Sequence, residues 1–152
     1  MVSACLLGVP CNHRGGSSPS SAVQALDGAF RVLPLCPEVA GGLPTPRPAA
    51  ERGRDGRVRT QSGEDLTDLY QRGARHALEV AQAVGAIGAV MKARSPSCGR
   101  GYVYDGSHSR RLVPGDGVAA EALIEAGFWV CSEEDLEVGV PSWMARALSS
   151  DG

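Results

Sequence analysis

Three cysteines sit where short apolar runs give out. Cys5 closes Val2-Ser3-Ala4, Cys36 closes Phe30-Arg31-Val32-Leu33-Pro34-Leu35, and Cys98 follows the run Ile87-Gly88-Ala89-Val90-Met91 after Lys92-Ala93-Arg94-Ser95-Pro96-Ser97. Thiolates are soft ligands that select zinc, copper(I) or iron–sulfur centres. The paired C-x-x-C knuckles of structural zinc are missing here. So is the run of closely spaced cysteines found in ferredoxins. Three widely separated thiolates instead suit a cluster held by three protein ligands, with one iron left open as a Lewis acid.

Other residue types gather beside these thiols. Glu38 lies two residues past Cys36, where a carboxylate in a desolvated crevice would suit proton transfer; its ordinary alternative is a solvated loop side chain. Ser95 and Ser97 flank Pro96 ahead of Cys98, one placed to cap a turn and the other to face a ligand. Lys92 and Arg94 either balance the charge of thiolates or sit on the surface. Cys11 can replace Cys5 as a ligand or simply line the same pocket. Cys131, ending Trp129-Val130-Cys131, reads as a small apolar core residue. The histidines do not assemble a zinc triad: His76 falls on the exposed side of a helical stripe and His108 in a hairpin tip. No glycine-rich dinucleotide loop, P-loop lysine or nucleophile elbow is present.

These residues need strand ends that converge. Strands are predicted over 2–6, 30–35, 87–91 and 128–131, with helices over 19–26, 66–84, 118–126, 133–136 and 141–148. The helix over 66–84 carries the clearest stripe: Leu66, Leu69, Tyr70, Ala74, Ala77, Leu78, Ala81 and Val84. Residues 37–55 read as a long Pro/Gly/Arg-rich loop followed by a short edge strand at Val58, and residues 102–113 as a small hairpin around Asp105-Gly106. Alternating strands and helices give a single three-layer α/β domain, Rossmann-like, with a mostly parallel sheet of about four strands. Open parallel sheets place their sites in the crevice at the carboxyl ends of the strands. The C-terminal helix and tail occupy 140–152.

Composition narrows the function classes. A net charge of −2 gives no electrostatic footprint for long nucleic acid. No apolar run reaches the roughly 20 residues of a membrane helix. The first residues lack a basic region ahead of an apolar stretch and do not read as an export signal, so a cytoplasmic location is expected. Five cysteines, an odd number, disfavour a complete disulfide framework and leave thiols free for metal or catalysis.

At these motifs the chain resembles a known family. Ser3-Ala4-Cys5-Leu6-Leu7-Gly8, Cys36-Pro37-Glu38-Val39-Ala40-Gly41-Gly42-Leu43-Pro44-Thr45-Pro46-Arg47 and Lys92-Ala93-Arg94-Ser95-Pro96-Ser97-Cys98-Gly99 are similar to the signatures of the 2-thiouracil desulfurase family. Gly63-Glu64-Asp65-Leu66-Thr67, Tyr104-Asp105-Gly106 and Gly115-Asp116-Gly117-Val118 extend the match, which runs over residues 2–135. The resemblance implies a [4Fe–4S] cluster on Cys5, Cys36 and Cys98. It further implies non-redox hydrolytic removal of sulfur from a thiolated pyrimidine, giving the oxo base and hydrosulfide. Glu38 is then the acid/base and Ser95 its substrate-side partner. The chain departs from the family pattern at Asn12-His13-Arg14-Gly15, where an Arg-Tyr-Asp-Gly-like stretch is usual. The competing reading of the same thiols is a non-catalytic iron–sulfur or zinc module that carries sulfur or metal.

Overall fold

The computed structural model describes residues 1–150. From the N-terminus, β1 (Val2–Ser3) runs into a 3₁₀ turn (Ala4–Leu7), and α1 (Ser21–Gln24) continues as a second 3₁₀ turn (Ala25–Gly28) towards β2 (Pro34–Leu35). Helix α2 (Pro37–Ala40) follows at once. A hairpin of β3 (Ala50–Arg52) and β4 (Val58–Thr60) precedes the long α3 (Thr67–Ala83). Next come β5 (Gly88–Met91), a second hairpin of β6 (Tyr102–Tyr104) and β7 (Leu112–Pro114), α4 (Val118–Glu125), β8 (Trp129–Ser132), α5 (Glu133–Val138) and α6 (Ser142–Ser149).

The main sheet is wholly parallel in the order β2-β1-β5-β8. The chain leaves β1 to one side for β2 and returns to its other side with β5, so the winding direction reverses at β1. That reversal opens the crevice at the carboxyl ends, as expected of the fold class. Successive residues of β5 point to opposite faces. Val90 packs with Val2, Leu6, Val23, Leu136 and Met144 on one face. Ala89 and Met91 pack with Ala74, Ala81, Ala119 and Leu123 on the other. Coverage on both faces explains why this strand is apolar throughout. A third cluster, Leu43, Ala50, Val58, Leu66 and Tyr70, lies under the first hairpin.

Small residues set the distances between helices. A Cβ on Gly73 of α3 would lie 1.9 Å from the Pro37 carbonyl oxygen, and one on Gly41 would lie 2.1 Å from that of Leu69. Helices α2 and α3 therefore touch backbone to backbone. Asp65 Oδ1 accepts the Thr67 N–H (2.9 Å) at the start of α3, and Gly85 ends it in the left-handed region (φ 63°).

The strands are shorter than their apolar runs. After Ser3 the chain tightens into 3₁₀, because Gly8 (φ 91°) turns it back to hydrogen-bond the carbonyls of Ala4 and Cys5. Before Pro34, residue 30 is still bonded to the preceding 3₁₀ turn, Phe30 N to Leu26 O at 2.8 Å. The first helix is capped by Ser20, whose Oγ accepts the Val23 N–H at 3.4 Å. The segment predicted as a loop over 37–55 holds α2 and β3, and Val58 pairs in that hairpin and not with the main sheet. Residues 151–152 of the expected C-terminal tail lie outside the described residues. Among those described, no helix is long and apolar enough to cross a membrane.

Candidate active site

Each thiol is delivered by a different exit from the sheet. Cys5 rides on the 3₁₀ turn after β1, its carbonyl accepting the Ser18 N–H at 2.9 Å. Cys36 is the extended residue before α2, with the buried Pro37 opening that helix. Cys98 follows β5 through a turn organised by Ser95, whose Oγ accepts the N–H groups of Ser97 (3.1 Å) and Cys98 (3.0 Å). The start of α4 presses on that turn: a Cβ on Gly117 would lie 2.4 Å from the Ser97 carbonyl carbon. Ala119 and Ala120 also donate to the Ser97 oxygen, satisfying the first turn of α4.

These thiols, together with Cys11, Glu38 and Ser95, line one cavity of about 680 Å³ at the carboxyl end of the sheet. Cys36 Sγ lies 3.8 Å from the Cys11 carbonyl oxygen. Burial pushes the Cys5 thiol up to about 11, with Cys36 adding to the rise and Lys92 opposing it. Burial also raises Cys98 strongly, the Ser3 hydroxyl opposing and Glu38, Cys36 and Cys5 adding. Cys11 is raised by burial and then by Cys36. Left to themselves, Cys5, Cys11 and Cys98 stay protonated at neutral pH; a bound metal reverses that preference, since a coordinated thiol loses its proton.

The carboxylate has its own frame. Glu38 sits in the first turn of α2, and its Oε1 accepts from Tyr70 Oη (2.6 Å) and Arg47 Nε (3.2 Å). Its Oε2 receives no hydrogen bond among the described residues and is left for the cavity. Tyr70 is 2% exposed, and burial first, then the Glu38 charge, holds its phenol firmly protonated, so it is a permanent donor. The Arg47 side chain is almost fully buried. Beyond Glu38 it bonds the Pro44 carbonyl (3.2 Å), Thr45 Oγ1 (3.2 Å) and the Cys11 carbonyl (2.8 Å), which together satisfy a buried guanidinium. It ties the Cys11 loop to the carboxylate. Sequence reading missed both partners. Tyr70 looked like one more member of an apolar stripe, although a buried tyrosine generally needs a partner for its hydroxyl. Arg47 was a lone charge in Pro44-Thr45-Pro46-Arg47-Pro48, a rigid setting that is itself the available signal.

Of the two serines, Ser95 lines the cavity and also organises the turn, while Ser97 is 1% exposed with an Oγ that finds no partner among the described residues. Lys92 bonds Glu133 Oε1 (2.7 Å), whose second oxygen accepts the Ala93 N–H (2.8 Å). Arg94 pairs with Glu134. Both cations stand at the cavity, and α5 supplies the carboxylates that hold them. Cys131 belongs to the core, packed in one cluster with Val2, Leu6 and Val90, and is not among the residues that line the cavity. His76 is exposed, and His108 lies in the second hairpin's loop.

Profile comparison matches residues 1–135 to the family described as 2-thiouracil desulfurase. The chain belongs to that family. The uncharacterized protein YbbK of Bacillus subtilis is 38% identical over 145 residues, a span covering 90% of this chain and 96% of that one. Among solved structures, the [4Fe-4S]-dependent thiouracil desulfidase TudS is 44% identical, with a TM-score of 0.86 over 98% of this chain and 96% of TudS. The shared fold is therefore that of a thiouracil desulfurase family member.

The donor set fits a cluster. Among the described residues, no group of three His, Cys, Asp or Glu side chains gathers as a site for one metal ion, whereas thiols from three separate loops border one cavity. A multi-iron cluster takes each thiolate on a different iron, and iron–sulfur chemistry calls for sulfur ligands of this type.

Proposed function

We propose that this protein is an iron–sulfur-dependent thiouracil desulfidase: it converts a thiolated pyrimidine and water to the oxo base, hydrosulfide and a proton. Cys5, Cys36 and Cys98 hold the [4Fe–4S] cluster, and Cys11 borders it. The observation that carries the reading is the meeting of these thiols with a carboxylate that is rigidly framed yet keeps one oxygen free. A carrier of sulfur or metal has no use for the Tyr70–Glu38–Arg47 arrangement. When bound, the cluster supplies a Lewis-acidic iron towards the thiocarbonyl sulfur.

The chain's own residues do the rest. Glu38 Oε2 faces the cavity and takes a proton from the attacking water, while Tyr70 and Arg47 hold Oε1 and so fix the direction of the free oxygen. The Ser95 hydroxyl accepts two backbone N–H groups, which leaves its own proton to donate to the substrate. Protonated Glu38 then gives its proton to the departing sulfur. As the C–S bond breaks and the C=O forms, the new hydroxyl releases its proton to solvent, so that hydrosulfide and a proton leave. No electron is exchanged in the net reaction.

The substrate is a small molecule, in keeping with a cavity of about 680 Å³ and a net charge of −2 that gives long nucleic acid no overall attraction. Free thiols require a reducing compartment, and on that ground we assign the protein to the cytoplasm. The decisive experiment is anaerobic purification, iron and acid-labile sulfide analysis, and sulfide release from 2-thiouracil. About four irons per chain and stoichiometric uracil formation support the proposal. A cluster-loaded protein that releases no sulfide from any thiolated pyrimidine overturns it.

A further inference from the structure

The loop over 105–111, which joins β6 to β7, is fastened at the wall of the cavity by a residue of the other hairpin, Glu51, which also lines it. Glu51 of β3 accepts the N–H groups of Gly106 (3.0 Å) and His108 (3.1 Å) on one oxygen, Oε1. His108 Nδ1 stands 3.7 Å from its other oxygen. Gly106 (φ 94°) lies so close to the first hairpin that a Cβ would come within 2.8 Å of Gly53 Cα. Two residues of the loop that are not glycine, His108 (φ 58°) and Arg110 (φ 62°), occupy the left-handed region. Such backbone persists only where its surroundings impose it. Here the imposition delivers Arg110 to the cavity wall. No carboxylate lies within ion-pair distance of its guanidinium among the described residues.

We infer that Arg110 is a specificity-determining residue that donates to the exocyclic oxygen of the thiolated pyrimidine, and that Glu51 is the positioning residue that sets it there. The inference rests on the proposed desulfidase activity. A thiouracil offers one sulfur to the reacting centre and one carbonyl oxygen elsewhere on the ring. A guanidinium presents several donors in a fixed plane, suited to such an acceptor. Sites built to hydrogen-bond a polar group discriminate strongly against analogues that lack it.

The test crosses two enzymes with two substrates, using cluster-loaded protein. 2-Thiouracil carries the ring carbonyl and pyrimidine-2-thione does not; comparing variant with wild type on both substrates cancels their inherent difference in reactivity in the ratio of ratios. Arg110→Asn keeps a residue type that tolerates positive φ. It is expected to lower kcat/KM for 2-thiouracil about 10–100-fold, mostly through KM, with turnover of pyrimidine-2-thione essentially unchanged. Glu51→Ala should reproduce the KM rise, while Glu51→Gln, which keeps an acceptor oxygen for both N–H groups, should restore wild-type behaviour. Equal loss on both substrates, or no loss on either, overturns the role of Arg110. Wild-type KM in Glu51→Ala overturns the role of Glu51. Should Glu51→Ala fail to fold, the Glu51→Gln rescue judged against Glu51→Asp, whose acceptor is withdrawn by one methylene, carries the same decision. If wild-type protein releases sulfide from neither thione, the desulfidase reading falls and takes this inference with it; normal wild-type turnover with flat ratios removes this inference alone.

Discussion

Two cavities of similar size lie at opposite ends of one sheet. The carboxyl-end cavity, about 680 Å³, is bordered by four thiols, the Glu38 carboxylate and several cations. The amino-end cavity, about 620 Å³, is bordered chiefly by Phe30, Val32, Leu33, Ile87 and Trp143. Volume does not separate them. What differs is the convergence of polar groups, which marks a reactive site more reliably than space does. In a parallel sheet every chain exit opens on the same side, so loops from β1, β2 and β5 can each contribute a thiol to a single point. The opposite end receives strand entries and helix ends, and apart from Arg31 its lining is chiefly apolar.

The comparison breaks most easily at the thiols. Replacing Cys36 by Ser is expected to abolish cluster loading, read as loss of iron and visible absorbance, whereas Cys131→Ser, in the core and outside the cavity lining, should retain both. A Cys131 variant lacking the cluster would mean that this core thiol, and not only the thiols lining the cavity, takes part in holding it. Glu38→Gln should leave the absorbance intact and lower the turnover number by about 10²–10⁴-fold, the usual worth of a general base. Tyr70→Phe removes one of the two donors to Oε1 and is expected to cost about tenfold in turnover, the worth of one hydrogen bond to a charged group. In folded, cluster-free protein at pH 8, alkylation should leave Cys131 unmodified: burial pushes that thiol up to about 12, so the reactive thiolate is scarce and grows only as pH rises towards that value. The smallest effect belongs to the amino-end cavity. Ile87→Ser, at a half-exposed position, should change stability by no more than about 0.5 kcal/mol and leave turnover unaltered, checked by thermal melting and sulfide release.

Much of this was legible in the sequence, for a physical reason. Cys5, Cys36 and Cys98 each follow an apolar run, and alternation of strand and helix is enough to bring such positions together. Helix α3 was legible because its buried residues repeat at helical spacing over 17 residues. The frame around Glu38 was not. Tyr70 and Arg47 reach it across 32 and nine residues of sequence, and such meetings depend on how α2 packs on α3. The strand ends were overdrawn for a similar reason: apolar content continues past Ser3, while the carbonyls there turn to Gly8, Ser18 and Ser20. Ser95 shows a further limit. Its type announced either a cap or a ligand contact, and it borders the cavity while capping the turn.

The bare contact between Gly41 and Gly73 has a wider consequence. These two residues carry no functional group, yet they act as a ruler: the separation of two backbones decides where a carboxylate stands relative to a phenol. One methyl group at either position would act on chemistry from a distance, by lengthening that ruler. A transplant of this site into another scaffold would therefore have to copy an absence of atoms as faithfully as it copies the cysteines.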